Sequence, residues 1–121
     1  MKRIAILSIL LLFTTNVCAE VVVCEQMKGN MLNADNEFID VKFSVEQEII
    51  QWSKNEDTIL FATKGEHQTF LKVAEDKDFL RGINATDGIF LLTYDKKNKT
   101  AFYSKHGLFI SQYFAKCREI K

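Results

Sequence analysis

The chain has 121 residues, and its 16 basic side chains balance its 16 acidic ones, so it carries no net charge at neutral pH. Such a balance gives no general attraction to nucleic acid, and the length suits one small domain. Proline is absent, while ten Phe, three Tyr and one Trp are many aromatic residues for this length. The composition therefore indicates a small domain with an aromatic core and gives no indication of nucleic-acid binding.

The first nineteen residues have the pattern of a secretory signal peptide. Lys2 and Arg3 precede an apolar run, and small residues lead to a predicted cleavage site after Ala19. The run is shorter than the ~20 residues that a spanning helix needs, which disfavours a retained membrane anchor. Cleavage of 1–19 removes two basic residues and no acidic one, and leaves 20–121 as one predicted β domain of about −2 net charge.

The predicted mature domain has no apolar stretch long enough to cross a membrane. A bacterial protein of this kind is expected in the periplasm or outside the cell. We therefore expect a periplasmic or secreted protein with no membrane span in the mature chain, no nucleic-acid partner and a monomeric state.

Two cysteines remain after the predicted cleavage, Cys24 near the start of the domain and Cys117 near its end. In an oxidising compartment, this pair predicts a disulfide bond. Closing so long a loop is expected to stabilise the fold by roughly 4 to 5 kcal/mol. The alternative is a reactive or metal-binding pair of thiols, which requires one shared polar site, and no neighbouring residues indicate such a site.

The first part of the domain alternates apolar runs with polar turns. Val21–Lys28 is predicted to be the first strand, and residues 30–37 are predicted to be a loop. Residues 38–45 alternate with a period of two, which predicts a half-buried strand. Its inward face is predicted to carry Ile39, Val41, Phe43 and Val45.

Residues 44–54 are compatible with two local structures. One is a short helix that begins with a capping box at Ser44. The other is a turn at 46–48 followed by a strand over 49–53. We favour the strand because the apolar residues form no helical stripe and too few residues precede the next polar segment.

The remaining apolar runs recur at a spacing of about ten residues, separated by turns that include 64–66, 75–78 and 84–88. They predict strands over 57–63, 68–74, 79–83, 88–94, 99–104 and 109–117. Together the eight or nine short strands predict an all-β fold. We expect an antiparallel meander, curled into a small barrel or a two-layer sandwich, with the disulfide linking its first and last strands.

Catalytic and metal-binding patterns are weak throughout the sequence. His67 and His106 are the only histidines, each sits at a predicted turn, and no spacing supplies a third metal ligand. Ser104 lies close to His106 without the turn of a nucleophile elbow, and no glycine-rich phosphate loop is present. Carboxylates are plentiful, but no spacing selects a pair for acid–base catalysis. The sequence therefore predicts no catalytic residues, no metal and no cofactor.

The aromatic residues give the best candidate for a binding surface. The strand over 88–94 is apolar on both faces, so it is either covered on both sides or exposes one face for binding. The predicted surface consists of Phe90, Tyr94, Phe102, Tyr103 and His106. The alternative is that these rings simply fill the core.

The format of the chain is similar to that of the C-type lysozyme inhibitors: a periplasmic all-β domain of about a hundred residues with its first and last strands bridged. The Ser-Gly-x-x-Tyr loop of that family is missing. Residues 103–107 hold similar residues in a different order, so no functional residue carries over. The resemblance concerns the format of the fold alone.

Together these observations predict a non-enzymatic protein that binds another protein or macromolecule, as an inhibitor or an envelope accessory factor. The first alternative is a lipocalin-like carrier of a small apolar ligand, which requires an interior cavity. The second, less favoured, is a hydrolase that uses His67 or His106 in a polar cleft.

Overall fold

The computed structural model describes residues 19–63, 66–107 and 109–120. These residues form ten strands: β1 (Ala19–Glu25), β2 (Lys28–Leu32), β3 (Phe38–Lys42), β4 (Gln47–Ser53), β5 (Thr58–Thr63), β6 (Glu66–Glu75), β7 (Phe79–Asn84), β8 (Ile89–Asp95), β9 (Thr100–His106) and β10 (Ile110–Glu119). The predicted signal peptide lies outside the described residues except for Ala19, as does most of the predicted 64–66 turn. The described part of the chain contains no helix long and apolar enough to span a bilayer.

The ten strands form one antiparallel sheet that closes into a barrel. The sheet order is β1-β4-β5-β6-β7-β8-β9-β10-β2-β3, and an additional pairing of β1 with β10 closes the first eight strands. The all-β prediction is confirmed, and the architecture is a barrel rather than a sandwich. The β2–β3 hairpin extends from β10 beyond the closed barrel.

The last strand organises the closure of the barrel. Residues 110–114 of β10 pair with β2, and Cys117 to Glu119 pair with β1 on the same edge. β1 and β2 therefore follow one another along β10, separated by Gln26 and Met27. Met27 is fully buried, and its carbonyl oxygen accepts a hydrogen bond of 2.9 Å from the Phe43 amide.

β2 corrects the predicted loop at 30–37, because the strand continues to Leu32 against β10. The loop is shorter and begins at Asn33, whose side-chain oxygen accepts hydrogen bonds from two backbone amides of the turn. Gly29 permits the approach of the two strands, since a Cβ there would overlap the Gln112 carbonyl oxygen. Pairing with β10, which is distant in sequence, thus extends β2 beyond the point where the local sequence predicts that the strand ends.

Two further predictions concern the segment from 38 to 54. The predicted half-buried strand ends at Lys42 and leaves the barrel, so that Phe38 is 73% exposed and Ile39 is also exposed. The prediction of burial was wrong there because β3 has no second layer against its outer part. The strand preferred over the helix for 44–54 is confirmed as β4, which begins two residues earlier than predicted.

The barrel interior is filled by aromatic rings around Tyr103. Its ring lies 5.1 to 6.4 Å, centroid to centroid, from the rings of Phe43, Phe61, Phe70, Phe90 and Tyr113. The Tyr103 hydroxyl donates a hydrogen bond of 3.1 Å to Gln68 Oε1. Burial raises the pKa of Tyr103 to about 12, so this phenol stays neutral and acts as a packing residue.

A polar cluster covers the end of the barrel where β6 finishes. Glu75 accepts hydrogen bonds from Trp52 Nε1 (2.9 Å), Lys72 Nζ (2.8 Å) and Lys96 Nζ (3.0 Å). Burial would raise the pKa of Glu75, but these three donors outweigh it and lower the pKa to about 2. The predicted turn at 75–78 is therefore corrected at its first residue, which is a half-buried strand residue.

The predicted disulfide between Cys24 and Cys117 is confirmed. The two residues lie directly opposite each other in the β1–β10 pair, with their Cα atoms 3.9 Å apart. The bond spans 93 positions of sequence and crosses the seam where the barrel closes. The bond therefore links the first and last strands of the domain, which are far apart in sequence.

We predict that replacing both cysteines in a Cys24→Ala/Cys117→Ala variant lowers the free energy of unfolding by about 4 kcal/mol. The physical reason is the entropy gained by the unfolded chain when the long loop is opened. Urea unfolding followed by tryptophan fluorescence measures the difference. Wild-type protein in reducing buffer should match the variant, and a loss of less than ~1 kcal/mol would contradict the prediction.

Candidate functional site

The outward side chains of the neighbouring strands β8, β9, β10 and β2 line a groove on the outer face of the sheet. In β8, β9 and β10, alternate residues point to the interior and to solvent, as strand geometry requires. A groove of about 410 Å³ lies between the outward side chains. We call it the outer groove and define it by Asn30, Leu91, Thr93, Phe102, Ser104, Gln112 and Phe114.

Apolar and polar side chains are combined in the outer groove. Leu91, Phe102 and Phe114 are 40%, 47% and 55% exposed, respectively. Between them, Gln112 Nε2 donates a hydrogen bond of 3.2 Å to Asn30 Oδ1, across the junction of β10 and β2. Exposed aromatic rings beside hydrogen-bonding groups are typical of surfaces that bind proteins.

The five residues of the predicted binding surface are divided between the two faces of the sheet. Tyr94 and Tyr103 are buried inside the barrel, and Phe90 packs against the core with its ring stacked on Tyr103. Phe102 points outward into the outer groove, and His106 is exposed at the end of β9. Adjacent residues of a strand point to opposite faces of the sheet, so of these five residues only Phe102 and His106 point outward. The buried Tyr103 borders the outer groove from below.

The outer groove contains residues that sequence reasoning missed. Leu91 and Phe114 belong to it, although neither was among the predicted surface residues. A signal was present in β8, which is apolar on both faces, but the sequence does not indicate which face points inward. Closure of the barrel determines this, because it places Phe90 and Leu92 inside and Leu91 outside.

Basic residues flank the aromatic part of the outer groove. The strand register places Phe102 opposite Phe114, Phe114 opposite Lys28, and Lys28 opposite Lys42. At the other end of this row, Arg81 lies opposite Thr93, with its guanidinium group 4.8 Å from the centre of the Phe79 ring. The row therefore combines two exposed aromatic rings with cations at both ends.

The two histidines do not form a site with each other or with a metal-binding cluster. His67 lies in β6 and His106 at the end of β9, where turns were predicted, and both side chains are exposed. Among residues 19–63, 66–107 and 109–120, no group of three or more His, Cys, Asp or Glu side chains is arranged to hold a metal ion.

A buried carboxyl group lies on β4, one strand away from the β1–β10 seam of the barrel. Glu48 is fully buried and pairs across the β1–β4 ladder with Cys24 of the disulfide. Neither of its oxygens has a hydrogen-bond partner of good geometry among the described residues. Burial raises the pKa of Glu48 to about 7, and the nearby Met27 backbone offsets only part of this rise. The predicted turn at 46–48 is thus corrected, since Glu48 is an inward strand residue.

No protein-family model, curated protein or solved structure matches the chain.

We predict that the stability of the domain decreases as pH rises from about 4.5 to about 7. Over this range the folded state retains a proton on Glu48 that the unfolded state has lost, and each unit of pKa difference corresponds to about 1.4 kcal/mol. Glu48→Gln removes this ionisation. Its gain in unfolding free energy over wild type should be small at pH 4 and approach ~3 kcal/mol at pH 8.

Urea unfolding at several pH values measures both profiles. Glu46→Gln is the matched control, because Glu46 is two positions away and exposed, and it should retain the wild-type pH dependence. Parallel profiles for Glu48→Gln and wild type between pH 5 and pH 8 would contradict the prediction.

Proposed function

We propose that this protein is a secreted or periplasmic binding protein without enzymatic activity, which recognises another protein through the outer groove. The observation that carries the proposal is the exposure of Leu91, Phe102 and Phe114 on neighbouring strands of a closed barrel. Burying such side chains against a partner gains roughly 25 cal/mol per Å² of apolar surface. The disulfide is compatible with an oxidising compartment.

The filled interior supports an external binding site over a carrier function. An eight-stranded barrel has an interior just wide enough for its own side chains or for one small ligand. Here the rings around Tyr103 occupy that space, and the Tyr103 hydroxyl is hydrogen-bonded to Gln68. A ligand inside the barrel would have to displace these rings.

The composition of the outer groove supports binding rather than catalysis. Its polar members are Asn30, Thr93, Ser104 and Gln112, which form hydrogen bonds but do not exchange protons near neutral pH. General acid–base catalysis needs a group whose pKa lies near the working pH. Such residues suit the recognition of a partner's backbone and side chains instead.

We predict that Phe102→Ser and Phe114→Ser each weaken partner binding by at least ~30-fold, since an aromatic hot-spot residue contributes about 2 kcal/mol or more. The immobilised mature domain is used to capture proteins from envelope extract. The captured protein is then purified, and its dissociation constant for wild type and for each variant is measured by calorimetry.

Leu71→Ser is the matched control. Leu71 is 56% exposed on the outer face of β6, which lies across the barrel from β10, and its replacement should leave binding unchanged. Circular dichroism and the unfolding midpoint verify that each variant is folded. Equal binding by wild type and both phenylalanine variants, or a similar loss in the Leu71 variant, would refute recognition by the outer groove.

A further inference from the structure

Two lysines beside the outer groove face each other, and neither forms an ion pair with a described residue. Lys28 of β2 and Lys42 of β3 are direct cross-strand partners on the exposed face of the hairpin. Neither ammonium group makes an ion pair or hydrogen bond with another described residue. Like charges in directly opposite positions destabilise a pair of strands. The hairpin therefore carries an electrostatic cost that an arriving anion would remove.

Protection of a sheet edge explains only one of the two lysines. Lysines are common on edge strands, where they discourage pairing with other chains, and β3 is the last strand of the sheet. Lys28 lies on β2, which is paired on both sides by β10 and β3. A role in recognition accounts for both side chains.

The lysine pair adjoins the aromatic part of the outer groove. Lys28 lies directly opposite Phe114, so their Cβ atoms are about 5 Å apart. Lys116 is exposed two residues beyond Phe114 on the same face of β10. The acidic neighbours of the pair are Asp40 on β3 and Glu25 on β1, and neither makes an ion pair with Lys28 or Lys42. The local surface thus offers an apolar contact next to unpaired positive charge.

We infer that the partner presents an extended acidic and apolar protein segment to this surface. An apolar side chain enters the outer groove against Phe102 and Phe114, and a neighbouring carboxylate lies between the ammonium groups of Lys28 and Lys42. This inference rests on the proposed function, because it specifies the chemistry of the partner that binds the outer groove. The positive potential would also accelerate association with an acidic partner.

The polar residues of the outer groove favour a protein segment over a membrane surface. Asn30 and Gln112 would lose their contact with water against lipid chains without gaining partners, whereas a peptide backbone supplies both donors and acceptors. Recognition is therefore assigned to an acidic segment of a protein.

The experiment uses a short fluorescein-labelled peptide in which glutamate alternates with phenylalanine, and measures its binding to the mature domain by fluorescence anisotropy. Lys28→Gln and Lys42→Gln should each raise the dissociation constant by roughly tenfold, and added salt should weaken wild-type binding. Lys97→Gln is the matched control, since Lys97 is exposed in the β8–β9 turn and its loss changes the net charge equally. Its affinity should equal that of wild type.

A stability measurement tests the charge repulsion independently of any partner. At low salt, Lys28→Gln should unfold at a higher temperature than wild type, and this difference should shrink in high salt. A variant that is both more stable and weaker in peptide binding has lost a recognition residue rather than its fold.

Several results would overturn the inference. These are equal binding of a peptide with glutamine in place of glutamate, absence of binding by the acidic peptide, and binding to phosphatidylglycerol vesicles that depends on the same lysines. Concentration-dependent dimerisation that Lys28→Gln abolishes would instead assign the surface to a second copy of the chain. If the captured partner is lost by Phe114→Ser but retained by Lys28→Gln and Lys42→Gln, the proposed function stands and only the acidic character of the partner is refuted.

Discussion

The packing of aromatic rings around Tyr103 is the interaction on which the rest of the structure depends. The interior of an eight-stranded barrel is narrow, and close packing requires that side chains fill it. Here five aromatic rings contact the ring of Tyr103. The absence of a side chain at Gly82 permits this packing, because a Cβ there would clash with Ile59 and Phe70. Once the interior is complete, the remaining apolar side chains of β8 to β10 have no position except the outer face.

The closure of the barrel creates the outer groove as well as the core. β10 pairs with β9 on one edge, and with β1 and β2 in succession on the other. Because the chain continues in the same direction along β10 past Gln26 and Met27, β2 brings Asn30 beside Gln112, and Lys28 beside Phe114. The surface that we assign to recognition therefore depends on the same seam that the disulfide crosses.

The sequence predicts what local patterns and simple chemistry determine. The alternation of apolar residues predicts most strands, and the two cysteines that follow a predicted signal peptide predict their bond. It does not predict which face of β8 points inward, since both faces are apolar and the neighbouring strands decide. Glu48 shows a different limit, because its charge argues for a turn, while its period-two relation to Ile50 and Trp52 indicates an inward position. The periodicity was the better guide, because tertiary pairing outweighs the preference of one residue.

The charged side chains are unevenly distributed although the chain has no net charge. Their individual surroundings affect stability more than the net charge does. Glu75 is held as a carboxylate by two lysines, whereas Glu48 has no such partner, and Lys28 faces another cation. The free-energy cost of burying Glu48 increases as pH rises, because the carboxyl group then tends to ionise. This cost destabilises the β1–β4 ladder, where Glu48 lies opposite Cys24. The disulfide that joins Cys24 to β10 contributes roughly 4 to 5 kcal/mol, which offsets this cost. The crosslink therefore lets the barrel tolerate a buried carboxyl group on β4, the strand that pairs with the crosslinked β1.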